Sequence, residues 1–221
     1  MKLEAIMRHR IGSESELRKI YTPIDKSIVE SPQYVPDHNF DLDQSDTNLN
    51  VTNKIIVNGT IIKKWKNNYS LYEFGSMVAL TNPVEKYTAF FVDVEQFEDT
   101  LLDDTVAVQT ALWRDVLVNE SENVPSYVLF KILLPKYPII STDNYQTQAG
   151  QVYWTNRIKE ALNMGGLFVY YLSHSPEKEV IRINSFDEFS DIAKRNNVWS
   201  YSKSSRDKLF VISRKQLKEI K

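Results

Sequence analysis

The chain has 221 residues, 42% apolar and 12% aromatic, enough to bury a core in one domain with appendages. Its 27 lysines and arginines against 29 aspartates and glutamates leave a formal net charge of −2, so no overall positive field draws it to nucleic acid or anionic lipid. Cysteine is absent, which excludes disulfides, thiolate metal ligands and a cysteine nucleophile.

The start, "MKLEAIMRHRIGSE", is charged and lacks the apolar centre of a signal peptide, and no later run is long enough to span a bilayer. The expectation is a soluble cytoplasmic protein with no membrane association, in which the Asn58-Gly59-Thr60 triplet carries no glycan. Ser13 and Glu16 are spaced as a capping box, and Leu17, Ile20, Tyr21 and Ile24 follow at helical spacing, predicting a short helix cut by Pro23. Residues 31–50 are polar and acidic without any sustained period, and predict an extended or loosely ordered arm that suits a protein partner. Asp41, Asp43 and Asp46 are spaced like calcium ligands, yet Asp46 stands where the loop needs its turn glycine and Thr52 where it needs the closing glutamate. Residues 1–50 are therefore an N-terminal helix and polar arm, and residues 51–221 a single domain.

In "KIIVNGTIIKKW", Asn58-Gly59 separates two β-branched runs and predicts a hairpin; in "SMVALTNPVEKYTAFFVDV", Asn82-Pro83 predicts a second turn, so an antiparallel meander is expected. Phe97, Leu101, Ala107, Ala111, Leu112 and Val116 lie roughly on one side of a helix over 97–116 that Pro125 ends. Thereafter the patterns predict strands at 127–134 and 138–142, a helix at 151–162, a strand at 167–172, a helix at 186–195 and a strand at 209–213. Strand, helix, strand in succession implies a right-handed crossover and a parallel pair at the sheet centre. The fold class is α/β or α+β: a mixed central sheet flanked by helices, with an antiparallel meander in the N-terminal half.

The stretch "PIISTDNYQTQAGQVYWTNRIKEAL" passes from an apolar run through a polar cluster and a lone glycine into a helix. A helix begins with N–H groups that lack internal partners, and its dipole makes that end weakly positive. Gly150 lets the main chain approach a phosphate closely, with amides from Gln148, Ala149, Gln151 and Val152; a purely conformational role for the glycine is the competing reading. Trp154 is in register with Ile158, Ala161 and Leu162 and belongs to the core, and Gly165-Gly166 closes the helix. Asp143, at the end of a central strand, is placed to cap a turn or the following helix.

This stretch, followed by "GGLFVYYLS", resembles the acyl-CoA-binding half of the GNAT superfamily of N-acyltransferases, especially the divergent members carried by bacteriophages. Their Q/R-x-x-G-x-G/A signature, set with its first glycine on Gly150, puts Thr147 at the Gln/Arg position and Val152 at the closing Gly/Ala position. The resemblance implies acetyl-CoA or a related thioester as cofactor, held by Thr142, Gln148, Ala149, Gly150, Gln151 and Val152. It implies a small-molecule or macromolecular amine as acceptor, Asp143 as base and Tyr201 as the acid that protonates the departing thiolate. Thr147 and Val152 depart from the signature, so the alternative is a phage or mobile-element protein that keeps the fold without catalysis and serves as a binding or structural component. A third reading, nucleic-acid binding, rests on Lys203, Arg206 and Lys208 together with Lys63, Lys64 and Lys66. His9, His38 and His174 are scattered and nominate no metal site, and neither a Gly-x-Ser-x-Gly elbow nor a Gly-Lys-Ser/Thr phosphate loop is present.

Overall fold

The structure is a computed structural model that describes residues 44–115, 117–142, 148–174, 177–199 and 207–220. The described residues fall in two compact units, one holding those up to Val94 and Thr110–Val128, the other Glu95–Gln109 and those from Leu129 on. The predicted helix at 13–24 and most of the predicted arm lie outside the described residues.

In the first unit, helix α1 (Gln44–Asn58) leads into β1 (Thr60–Lys64), β2 (Ser70–Phe74), β3 (Met77–Asn82) and the first part of β4 (Tyr87–Asp99), an antiparallel meander. Two expectations fail here. Residues 44–50 are helical rather than part of an extended arm, and Asn58-Gly59 ends that helix instead of turning a hairpin. The reason is burial: Val51 and Ile55, one helical turn apart, are 3% and 0% exposed and pack with Tyr72, Ala79 and Phe91, which stand side by side across the register of β2, β3 and β4. Burying Ile55 fully contributes about 1.5–3 kcal/mol, more than the few tenths by which β-branched residues disfavour a helix. Gly59 is needed for close approach: its N–H donates to the Ile55 carbonyl at 2.8 Å, and a Cβ would stand 2.5 Å from that same oxygen. The two-residue hairpin lies further on, at Gly75-Ser76, where Gly75 takes φ +63° and Phe74 pairs with Met77. The Asn82-Pro83 turn is as expected, with Asn82 Oδ1 accepting from the N–H groups of Val84 (3.0 Å) and Glu85 (3.2 Å).

Buried polar groups also hold α1. The register of β3 against β4 shifts between Leu80 and Thr81, and the main chain of Thr88, which stands opposite Thr81, takes a partner from α1. Asn48 supplies it: Nδ2 donates to the Thr88 carbonyl and Oδ1 accepts from the Thr88 N–H, both at 2.9 Å. The Thr52 hydroxyl bonds Asn48 Oδ1 at 3.1 Å and Thr88 Oγ1 at 2.7 Å, and all three side chains are buried.

The predicted helix over 97–116 is instead the end of β4, a turn, and strand β5 (Asp104–Arg114). Asp99 Oδ1 accepts from the N–H groups of Leu101 and Leu102 and fixes the turn, and β-branched Thr105, Val106 and Val108 suit the strand that follows. The predicted strand at 127–134 is helical: α2 (Val124–Val128), a π-helical turn (Leu129–Leu133) and α3 (Leu134–Lys136). Pro125 opens this stretch rather than closing an earlier helix, since a first-turn position has no N–H bond to lose. Val124, Val128, Leu129 and Leu133 are buried from one side of it.

The second unit continues with β6 (Ile139–Ser141), α4 (Gln148–Leu162), β7 (Phe168–Ser173), β8 (Glu179–Ile183), α5 (Phe186–Arg195) and β9 (Lys208–Ser213). Its strands lie in the order β5-β6-β9-β7-β8. The expected crossover pair is corrected: β6 and β7, joined through α4, are not neighbours, because β9 lies between them and is antiparallel to both. The parallel pair is β5 with β6. Strand β8 went unpredicted. Mostly antiparallel strands with helices packed on them make this an α+β fold, with the antiparallel meander in the N-terminal half.

Register puts Ala107, Gln109, Ile140, Phe210 and Tyr171 on one face of the second unit's strands and Val106, Ile139, Val211 and Tyr170 on the other. The latter face packs with Leu101, Leu102, Leu217 and Ile220. Helix α5 covers the former, its Phe189 ring 4.7 Å from that of Phe210. Ser185 starts α5 by accepting from the Glu188 N–H at 3.1 Å, while Glu188 reaches back to the Asn184 N–H at 2.8 Å.

Candidate functional site

Helix α4 organises the site. Trp154, Ile158 and Ala161 are 3%, 0% and 0% exposed, the core face that their helical spacing predicts. With 100° per residue, Tyr153, Arg157 and Glu160 then fall on one flank, Gln151, Thr155 and Lys159 on the opposite flank, and Val152 and Asn156 outward.

Five of the six predicted cofactor residues are brought to one end of α4, but not in a loop. Gln148, Ala149, Gly150, Gln151 and Val152 all lie within the first two turns of the helix, which begins earlier than expected. Gln151 Nε2 donates to the Trp199 carbonyl at 3.0 Å, and Val152 is 49% exposed. Thr142 is committed to structure: its N–H donates to the Phe210 carbonyl at 2.8 Å and its Oγ1 accepts from the Phe210 N–H at 3.1 Å, tying the end of β6 to β9. Asp143 and Tyr201 lie outside the described residues, as do Lys203 and Arg206. Of the remaining basic residues, Lys208 Nζ donates to the Asn196 carbonyl at 3.0 Å, and the Lys63 ammonium sits 3.9 Å from the Tyr127 ring centroid and 5.0 Å from that of Trp65.

Sequence reasoning missed the pair that the fold assembles on the Tyr153 flank. Among the described residues, strand β5 pairs with β6 at Ala107 with Ile140 and Val108 with Ser141, and Gln109 comes next. Gln109 and Tyr153 are both 7% exposed, and the Gln109 side chain lies close enough to act on the Tyr153 hydroxyl, although among the described residues neither Gln109 Oε1 nor the Tyr153 hydroxyl meets a partner in full hydrogen-bonding geometry. Burial pushes the Tyr153 phenol up to about 12, against smaller opposing effects of the Arg157 charge and of Gln109. Arg157 lies over the Tyr153 ring, 5.5 Å from its centroid, and pairs through Nη2 with Glu160 Oε1 at 2.7 Å. A buried hydroxyl without a partner costs about 1–3 kcal/mol, and such groups are rare enough in folded proteins that each asks for a reason. The available sequence signal was Gln109, a polar side chain inside the run "TVAVQTAL".

His174, one of the scattered histidines, has partners at both nitrogens: Nε2 lies 3.0 Å from Asp99 Oδ2 and Nδ1 3.3 Å from the Asp207 carbonyl oxygen. Two acceptors suit a ring protonated at both nitrogens, a cationic clamp rather than a general base. The Asp99 hydrogen bond raises His174 above its ordinary 6.5 despite burial. Burial works to raise Asp99, but the His174 bond and the N–H groups of Leu102 and Leu101 outweigh it and hold the carboxyl below 3.8. The His174 contribution to stability is complete below pH 6.5 and lost as pH rises above it; the Asp99 contribution is complete above pH 3.8 and lost as pH falls below it. His174→Gln should therefore lower the stability measured by urea unfolding most between those values, by less than about 1 kcal/mol because the ring is partly exposed, and the gap to wild type should narrow as pH rises above 6.5. A gap that is constant from pH 5 to 8 would refute the clamp.

Among the described residues no cluster of histidines and carboxylates can hold a metal ion, and no helix is long and apolar enough to cross a membrane. Compared with protein-family models, curated proteins and solved structures, the chain matches none.

Proposed function

We propose that the chain is an N-acyltransferase that moves an acetyl or similar group from acyl-CoA to an amine. The observation that carries this reading is Tyr153: a phenol kept protonated by burial, its hydroxyl beside the Gln109 side chain without a partner in full hydrogen-bonding geometry, just past the described β5–β6 pairs. The order β6, α4, β7 with Gly150 in the first turn of α4 adds to the GNAT resemblance.

Acyl-CoA, when bound, supplies the activated acyl group. Gln109 Oε1 and Tyr153 Oη, two of the buried polar atoms without a partner, suit such a ligand, since the first accepts and the second donates. The N-terminal end of α4 would hold the coenzyme's phosphates through the helix dipole, while the Gln151 and Val152 N–H groups, which the sequence nominated as donors, are already bonded within the helix. Gln109 Oε1 would accept an amine N–H and orient the nucleophile, and Tyr153 Oη would hold the proton destined for the leaving thiolate, the role the resemblance gave to Tyr201. Asp143, directly after Thr142, is the proposed base. Such a reaction belongs where coenzyme A is abundant, so the reading places the protein in a cytoplasm, the host's if a phage encodes it. The non-catalytic alternative draws its support from Thr142 and Gln151, whose side chains serve the fold.

Calorimetry with acetyl-CoA tests the reading. Binding with Kd in the range of about 1 µM to 1 mM, together with thiol release over a panel of amines, is expected. No heat at millimolar acetyl-CoA would remove the enzyme reading, and heat without thiol release from any amine would favour the non-catalytic one.

A further inference from the structure

The opposite flank of α4 faces a cavity of about 350 Å³, lined among others by Thr155, Phe186, Phe189, Ser190, Lys194 and Trp199. That volume is at the lower end of small-molecule sites, about 300–1,000 Å³. Its apolar side is made of rings: Phe186 and Phe189 have centroids 5.5 Å apart, and Trp199 lies 6.4 Å from Phe189 and 5.4 Å from Phe210 beneath. The Trp199 main chain is fixed from α4 by Gln151, and Asn197 holds a left-handed φ of 51°, so the aromatic wall is held in place rather than hanging loose.

The charge at this cavity has one sign. Lys194 lines it, Lys159 stands 5.5 Å over the Phe186 ring, and among the described residues no carboxylate lines it. Hydroxyls come from Thr155 and Ser190, the latter donating to the Phe186 carbonyl at 2.9 Å and so left with acceptor capacity. Flat rings, one lining ammonium and a few hydroxyls suit a planar ligand with a single negative charge; among the described residues, neither the several converging donors nor the arginine fork that a phosphate would call for lines the cavity.

We propose that this cavity is a binding site for a small aromatic carboxylate, separate from the Tyr153 flank. The ring enters between Phe186 and Trp199, and the carboxylate meets Lys194. Tyr153 and Thr155 are about 200° apart around the helix, so success or failure here leaves the acyltransfer reading untouched.

Two ligands of the same shape and opposite charge, 4-fluorobenzoate and 4-fluorobenzylamine, test this on the full chain by fluorine NMR. The benzoate line should broaden and the benzylamine line should not. Lys194→Glu, a change at an exposed position that spares the core, should weaken benzoate at least about threefold and let benzylamine bind. In proton–nitrogen spectra benzoate should move the Trp199 indole signal, assigned with Trp199→Phe, and leave those of Trp65, Trp113 and Trp154 in place. Equal broadening of both ligands, indifference to Lys194→Glu, or a shift at another tryptophan in place of Trp199 would each overturn the proposal.

Discussion

Asn48→Leu should lower the stability of the first unit by about 3–5 kcal/mol, measured by urea unfolding, although leucine matches asparagine in size and is the better helix former. The amide makes a two-point bond to the main chain of Thr88, at 2.9 Å in each direction, in a place only 3% exposed. Leucine leaves both the Thr88 N–H and its carbonyl buried without partners, at about 1–3 kcal/mol each, and takes from Thr52 one of its two bonds. Propensity pulls the other way by only a few tenths of a kcal/mol. Asn50→Leu, on the exposed side of the same helix, is the control and should stay within about 0.5 kcal/mol of wild type. If Asn48→Leu costs less than about 1 kcal/mol, the polar network does not hold α1 and the apolar contacts of Val51 and Ile55 suffice.

That network also explains where the sequence misled. Residues 44–58 contain Val51, Thr52, Ile55, Ile56 and Val57, a composition that reads as strand; they form a helix because Val51 and Ile55 meet Tyr72, Ala79 and Phe91, and Asn48 meets Thr88, 40 residues away. Local propensity carries no information about partners at that distance. The reverse error at 97–116 has the same source. Scattered apolar residues mimic a helical face, and only the register of Ala107 and Val108 on β6 shows that the segment is extended. Elements that signal locally were legible: the Asn82-Pro83 turn, strand β6, helix α4 with its inward Trp154, strand β7, helix α5 and strand β9. The same divide runs through the site. The helix start near Gly150 can be seen in the text, whereas the meeting of Gln109 with Tyr153, and of Asp99 with His174 75 residues later, depends on strand order.

Tyr153→Phe should make the protein more stable and, on the acyltransfer reading, much less active. Removing a buried hydroxyl that meets no partner in full hydrogen-bonding geometry relieves its desolvation, so a gain of about 1 kcal/mol is expected, while the ring keeps its edge-on contact with Trp154, 5.3 Å between centroids. Loss of a positioned proton donor should cut kcat about 100-fold, equivalent to about 2.7 kcal/mol at the transition state, and leave KM for acetyl-CoA nearly unchanged. Stability at high pH separates this cause from a packing effect. With the Tyr153 phenol raised to about 12, wild-type stability keeps its full value with respect to this titration below pH 10 and falls as pH climbs through 12, so the variant should keep more of its stability there than wild type does. A residue that served only the fold would show the opposite pair of results: lower stability and unchanged turnover. If the variant is less stable than wild type, Tyr153 has a partner that matters to folding, and its case as a proton donor fails even where activity also falls.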